Sequence, residues 1–154
     1  MTPAQLSALK SEIQTDPLAK GYAAFMPDDP EHVASLLNAP AYTALKPITA
    51  ATALTWAAQG PYSAIVDASN NVSHPCRASC LVVRDTLTAG LDVHMDNPAL
   101  QNMFAAWKNL PPAIITPAQY DALIAMARQP ASRAEILGFG AVSARDVVDA
   151  QGAI

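Results

Sequence analysis

Thirteen of the 154 residues are proline, and their positions constrain the fold more than any other feature. A proline inside a helix removes a hydrogen bond and clashes with the preceding turn. At the first helical position, or just past a helix end, it is tolerated. Here prolines repeatedly follow a residue whose short side chain caps helices: Thr2-Pro3, Asp16-Pro17, Asp29-Pro30, Asn97-Pro98 and Thr116-Pro117. The near-copies TPAQLSAL (from Thr2) and TPAQYDAL (from Thr116) show the logic. Thr accepts from the amide three residues on, Pro is preset for the first turn, and Gln reaches back to the cap. The segments diverge beyond Leu9 and Leu123, and no constant period links the regions between. A repeat architecture requires such a period, so the shared letters are capping chemistry and not duplication.

Further starts and stops follow the same grammar. Asp16-Pro17 begins a short turn ending at Gly21. Asp29 opens a helix with Val33, Leu36 and Leu37, stopped near Asn38 and Pro40. A helix from Pro47 to Gln59 carries Leu54 and Ala58 on its apolar side, with Trp56 elsewhere on its surface, and Gly60 closes it. Pro61 starts a helix through Ile65 and Val66. Residues 69–73 are a loop and a candidate loose division of the chain. The segment from Ser73 to Ala89 is the longest candidate helix, closed by Gly90. Leu91, Val93 and Met95 alternate with polar residues, which predicts a brief extended segment over 91–95. Asn97 then opens a helix striped by Leu100, Met103, Phe104, Trp107 and Leu110, broken by Pro111-Pro112. Ser132 and Glu135 form another capping box before Ile136 and Leu137. Ser143 to Asp146 opens a terminal helix with Val147 and Val148.

About one residue in five is alanine, and the aromatic share is 6%. That composition favours short, closely packed helices over a sheet of β-branched and aromatic residues. The expected fold is therefore all-α: six to eight short helices in one domain over 1–154, with at most the extended stretch at 91–95. The charged fraction of 14% is well below the usual ~25%, and a surface so thin in charge suggests covering by another chain. A net charge of −4 and nine scattered basic residues argue against a nucleic-acid footprint, and no sequence-specific nucleic-acid binding is expected. No apolar run reaches the ~18 residues of a membrane span. Lys10, Glu12, Asp16 and Lys20 interrupt any secretory core near the start. The expectation is a soluble protein made in a cytoplasm.

One segment, S-H-P-C-R-A-S-C, brings His74, Cys76 and Cys80 together, with His94 further on. Thiolate and imidazole are zinc ligands, but the paired C-x-x-C knuckles of structural zinc sites are absent. Cys76, Cys80, Val83 and Leu87 also stand at i, i+4, i+7 and i+11, one helical stripe, where free cysteines pack as small hydrophobes. Core packing is the reading adopted, with a metal or a disulfide as the other readings. Cys76 beside His74 or His94, with Asp92 or Asp96, could be drawn as a nucleophile with its base. No G-x-S-x-G phrase occurs, and Asp96 already has a local task before Asn97-Pro98. Gly138-Phe139-Gly140 lacks the third glycine of a phosphate loop and reads as a helix end with a turn. Arg133 with Glu135, and Arg145 with Asp146, read as exposed helix surface. Met103, Phe104 and Trp107 are read as core, and a partner-binding face is their second reading. No catalytic residue, cofactor or metal is assigned.

Two ends of the chain resemble a known group. LKSEIQTDPLAKGYA, with its I-x-x-DP-L-x-x-GY phrase, resembles the start of small proteins encoded in the virion-assembly gene clusters of tailed bacteriophages. LDVHMDNPALQNMF, ITPAQYDALIAMA and QPASRAEILGFGAVSARDVVDA are similar to the same group; residues 38–89 lie outside the likeness. The resemblance implies a non-enzymatic structural protein of the head, neck, tail or fibre region, assembled in the host cytoplasm. Its partners would be other virion proteins and copies of itself. An intracellular adaptor binding a protein partner through a helical groove is the alternative, and a thiol or zinc enzyme the third reading.

Overall fold

The computed structural model describes residues 1–152, and among them the chain is mainly helical with one small sheet. In order, the elements are α1 (Pro3–Thr15), a 3-10 turn (Tyr22–Phe25), α2 (Pro30–Asn38), β1 (Tyr42–Leu45), α3 (Ala50–Ala58) and α4 (Pro61–Asn70). Then come α5 (Arg77–Thr88), α6 (Pro98–Trp107), α7 (Pro117–Ala127), β2 (Arg128–Ala131), α8 (Arg133–Ile136) and α9 (Ala144–Gly152). Five of these helices begin on a proline. Both T-P-A-Q phrases close reciprocally. Thr2 Oγ1 accepts from the Gln5 amide at 3.2 Å while Gln5 Oε1 accepts from the Thr2 amide at 2.9 Å. At Thr116 and Gln119 the same bonds are 3.2 and 2.7 Å. Ser132 and Glu135 repeat the arrangement at 3.1 and 2.8 Å.

Three details depart from the sequence reading. Nine α-helices stand among the described residues, where six to eight are expected; the helix starts read along the chain are all present, and the expected total is too low. The sheet is formed by β1 and β2, while the stretch 91–95 contributes only a bridge in which Val93 and Ile48 exchange amide bonds at 2.9 Å. A four-residue run carries too little periodicity to announce itself. Its backbone groups find partners only when a distant run lies alongside, and Pro130 is tolerated because both strands are edges. Finally, α3 presents its Ala53-Trp56-Ala57 face to the interior and leaves Leu54 partly exposed. Small alanines flank the indole there, and an indole has more apolar surface to bury than a leucine.

The chain divides into two compact units. The first comprises Met1–Thr43 together with the residues from Pro130 onward. In it α1 and α2 pack on α9, α8 packs on α2, and the 3-10 turn packs against α1 and α2. Its core is built on Leu9, Ile13, Tyr22, Val33, Leu37, Phe139 and Val147, with Ala34, Ala134 and Ala150 at close contacts. The second unit is Ala44–Gln129. There α4 packs on α5, and α3 packs on α4, α5 and α7. Residues 69–73 lie inside this unit.

Aromatic rings fill the second core. Phe104 meets Trp56 edge-on at 6.0 Å and Trp107 at 5.0 Å between centroids. Both indole N–H groups are used: Trp56 Nε1 donates to the Gln119 carbonyl at 2.9 Å and Trp107 Nε1 to Ser79 Oγ at 3.2 Å. Buried indoles keep their donor satisfied in this way.

The Thr116 cap sets the start of α7, whose Leu123 and Ala127 are fully buried. Thr116→Ala is expected to cost about 1 kcal/mol in urea unfolding. A loss of only a few tenths would show that packing alone fixes this helix start.

Candidate functional site

The thiol and imidazole candidates all fall in the second unit, but their side chains are committed elsewhere. Cys80 is fully buried on α5, and Cys76 is half-buried at that helix's N-cap; neither is in a disulfide. The stripe Cys80, Val83 and Leu87 enters the core as its spacing predicts. His74 Nδ1 accepts from the Cys76 amide at 3.1 Å. In the neutral ring the proton then sits on Nε2, and neither nitrogen offers a metal a free lone pair while that bond holds. His94 is 61% exposed and lies 3.4 Å from Asp96. Asp92 Oδ1 accepts the Ala50 amide at 3.1 Å, which caps α3. Among the described residues no group of three or more His, Cys, Asp or Glu could hold a metal ion.

Burial, reinforced by the neighbouring Cys76, pushes the Cys80 thiol up to about 11, although Ser79 opposes the shift with a hydrogen bond. A thiol held protonated well above neutrality is a poor nucleophile. In native protein at pH 7.5, iodoacetamide is expected to modify Cys76 at most, with Cys80 alkylated only after unfolding. Rapid native labelling of Cys80 in a peptide map would contradict this placement.

The aromatic candidates are interior. Phe104 and Trp107 are each 1% exposed, and Met103 is half-buried against the same cluster. Phe104 and Trp107 are thus core residues of this chain, as their helical spacing predicts. Gly138 and Gly140 have φ of 73° and 71°, the left-handed region, and flank the buried Phe139. The Gly138 and Phe139 amides donate back to Glu135 and Ala134, so this is the end of α8.

Arg133, expected on an exposed face, lies instead beside Glu12 in the first unit. Its Nε and Nη2 donate to the two Glu12 carboxylate oxygens, each at 2.8 Å, and Glu12 is only 6% exposed. The bond to Glu12 holds the guanidinium even more firmly protonated than usual. Tyr22, wholly buried, has its hydroxyl pushed up to about 12, first by burial and then by the Glu12 charge. The hydroxyls of Tyr22 and Tyr42 are buried without a protein partner, and Lys20 lies 5.1 Å over the Tyr42 ring. By contrast, Arg145 is exposed and pairs with Asp149 at 3.7 Å. Asp146 accepts the Ser143 hydroxyl and amide as part of a cap, which lowers its pKa.

The Glu12–Arg133 pair ties α1 to α8. Removing one partner strands a buried charge, while replacing both is far less costly. Arg133→Met is expected to cost about 3–5 kcal/mol, and adding Glu12→Leu should recover most of it in equilibrium denaturation. Equal losses in single and double variants would remove the ion pair as the cause.

The second unit carries an apolar cleft of about 550 Å³. Val82, Val83 and Thr86 of α5 form one wall, residues Gly90 to His94 the other, and Leu100 of α6 closes it. Val82 and Leu91 are large and apolar yet 60% and 58% exposed. Its size falls within the ~300–1,000 Å³ of ordinary binding pockets. The sequence reading placed Val83 on the core stripe and left its neighbour Val82 unassigned; a Val-Val pair on an amphipathic helix must turn one member outward. Comparison with protein-family models, with curated proteins and with solved structures found no match for this chain.

Proposed function

We propose that the chain is a non-enzymatic structural component of a tailed-phage virion that packs against neighbouring subunits. The observation that carries this reading is the apolar cleft with Val82 and Leu91 standing exposed at its walls. Two large aliphatic side chains around one concavity gain most when another chain covers them. The low charged fraction of 14% agrees with a surface that is partly covered. The likeness of the two chain ends to small virion-assembly proteins supplies the setting, in the head, neck, tail or fibre region. Copies of the chain would then stand in a symmetric arrangement, as repeated particle components do.

An intracellular adaptor uses the same cleft for a soluble host protein and differs only in where the complex is found. Mass spectrometry of purified particles separates the two readings, with copy number measured against the major capsid protein. A stoichiometric, symmetric copy number is the expected result. Absence from particles would overturn the virion reading and leave the adaptor.

A further inference from the structure

Asp92 is the one carboxylate among the residues that line the cleft. It spends only Oδ1 on the Ala50 amide. Asp96 lies outside the lining but next to it, with its Oδ1 3.4 Å from Nδ1 of the lining His94. Among the described residues no Lys or Arg lines the cleft, and Arg84 of α5 is turned toward Asp85, Ser69 and Asn70. The interior is aliphatic, with Val83 and Val93 buried beneath the exposed Val82 and Leu91.

We propose that this cleft takes an amphipathic helical segment of a partner protein. Leu or Ile side chains of that segment enter between Val82 and Leu91, and flanking Lys or Arg side chains meet Asp92 and Asp96. A helix laid in a groove presents such anchors at i, i+3 or i+4 and i+7. Opposite charge at the rim sets its orientation and speeds encounter. A second copy of this chain fits less well, because it brings a net charge of −4 toward an acidic rim. The inference rests on the cleft being a contact surface, as read above, and not on the place of the chain in a particle.

The test uses the full chain and two synthetic helical peptides with leucines along one face, one flanked by lysines and the other by glutamates. Fluorescence anisotropy at low and high salt should show binding of the lysine peptide, weakened by salt. Leu91→Asp, at an exposed position, should weaken it about tenfold or more. Asp92→Asn combined with Asp96→Asn should weaken it several-fold and flatten the salt dependence. The unfolding midpoint should hold, because the new amide keeps an acceptor for the Ala50 N–H. Equal binding of the glutamate peptide, or no binding of either, would overturn the proposal. So would self-association of the chain that Leu91→Asp abolishes, which would make a second copy the occupant. If peptides fail while the chain is found in particles, the docking inference falls and the virion reading stands. Lysine-peptide binding by a chain absent from particles gives the reverse.

Discussion

No described helix exceeds the 13 residues of α1, and every other feature follows from that. Isolated helices shorter than ~12–15 residues are marginal in water, so none of these persists by itself. Caps fix where most of them begin, and burial against neighbours supplies the free energy that propensity does not. The frequent prolines are compatible with this arrangement because they fall where a helical amide has no partner to lose. Alanine-rich faces then let short rods approach closely, as Ala34, Ala134 and Ala150 do in the first unit and Ala53 and Ala57 in the second.

The two units reach cohesion differently. In the second, three aromatic rings meet edge-on and carry their polar N–H groups to nearby acceptors. In the first, a buried carboxylate holds a partly buried guanidinium. Such a pair gives little net stability after desolvation, but it discriminates strongly against arrangements that separate its members. Its bidentate geometry accepts one relative placement of α1 and α8. Tyr22, packed beside it, is kept neutral by the same low-polarity surroundings.

Helix starts were legible because capping is local: Thr2, Thr116 and Ser132 act on residues three positions away. The stripe of Cys80, Val83 and Leu87 was legible for the same reason, since one helix contains its whole period. What could not be read depends on distant partners. Glu12 and Arg133 are 121 residues apart, and nothing near either announces the other. β1 and β2 are likewise four-residue runs defined only by each other. Trp56 was misplaced because a single helix does not reveal which of two apolar faces its neighbours will cover. The cleft at Val82 and Leu91 belongs to the same class, being a property of how α5, the loop beyond it and α6 assemble.

The first and last stretches of the second unit meet each other, where the Lys46 amide donates to the Ala127 carbonyl at 2.9 Å. It is thus inserted, uninterrupted, between the two stretches of chain that compose the first unit. During vectorial synthesis all of residues 44–129 leave the ribosome before α8 and α9 do. The inserted unit consequently has the whole of its own chain in solution first, whereas α1 and α2 wait for the residues that cover them. Through that interval Leu9, Val33 and Leu37 lack the Phe139 and Val147 neighbours of their finished core. The earliest-made helices are in this way the last to be enclosed, and they stay open to chaperone capture or proteolysis until the end of the first unit has emerged.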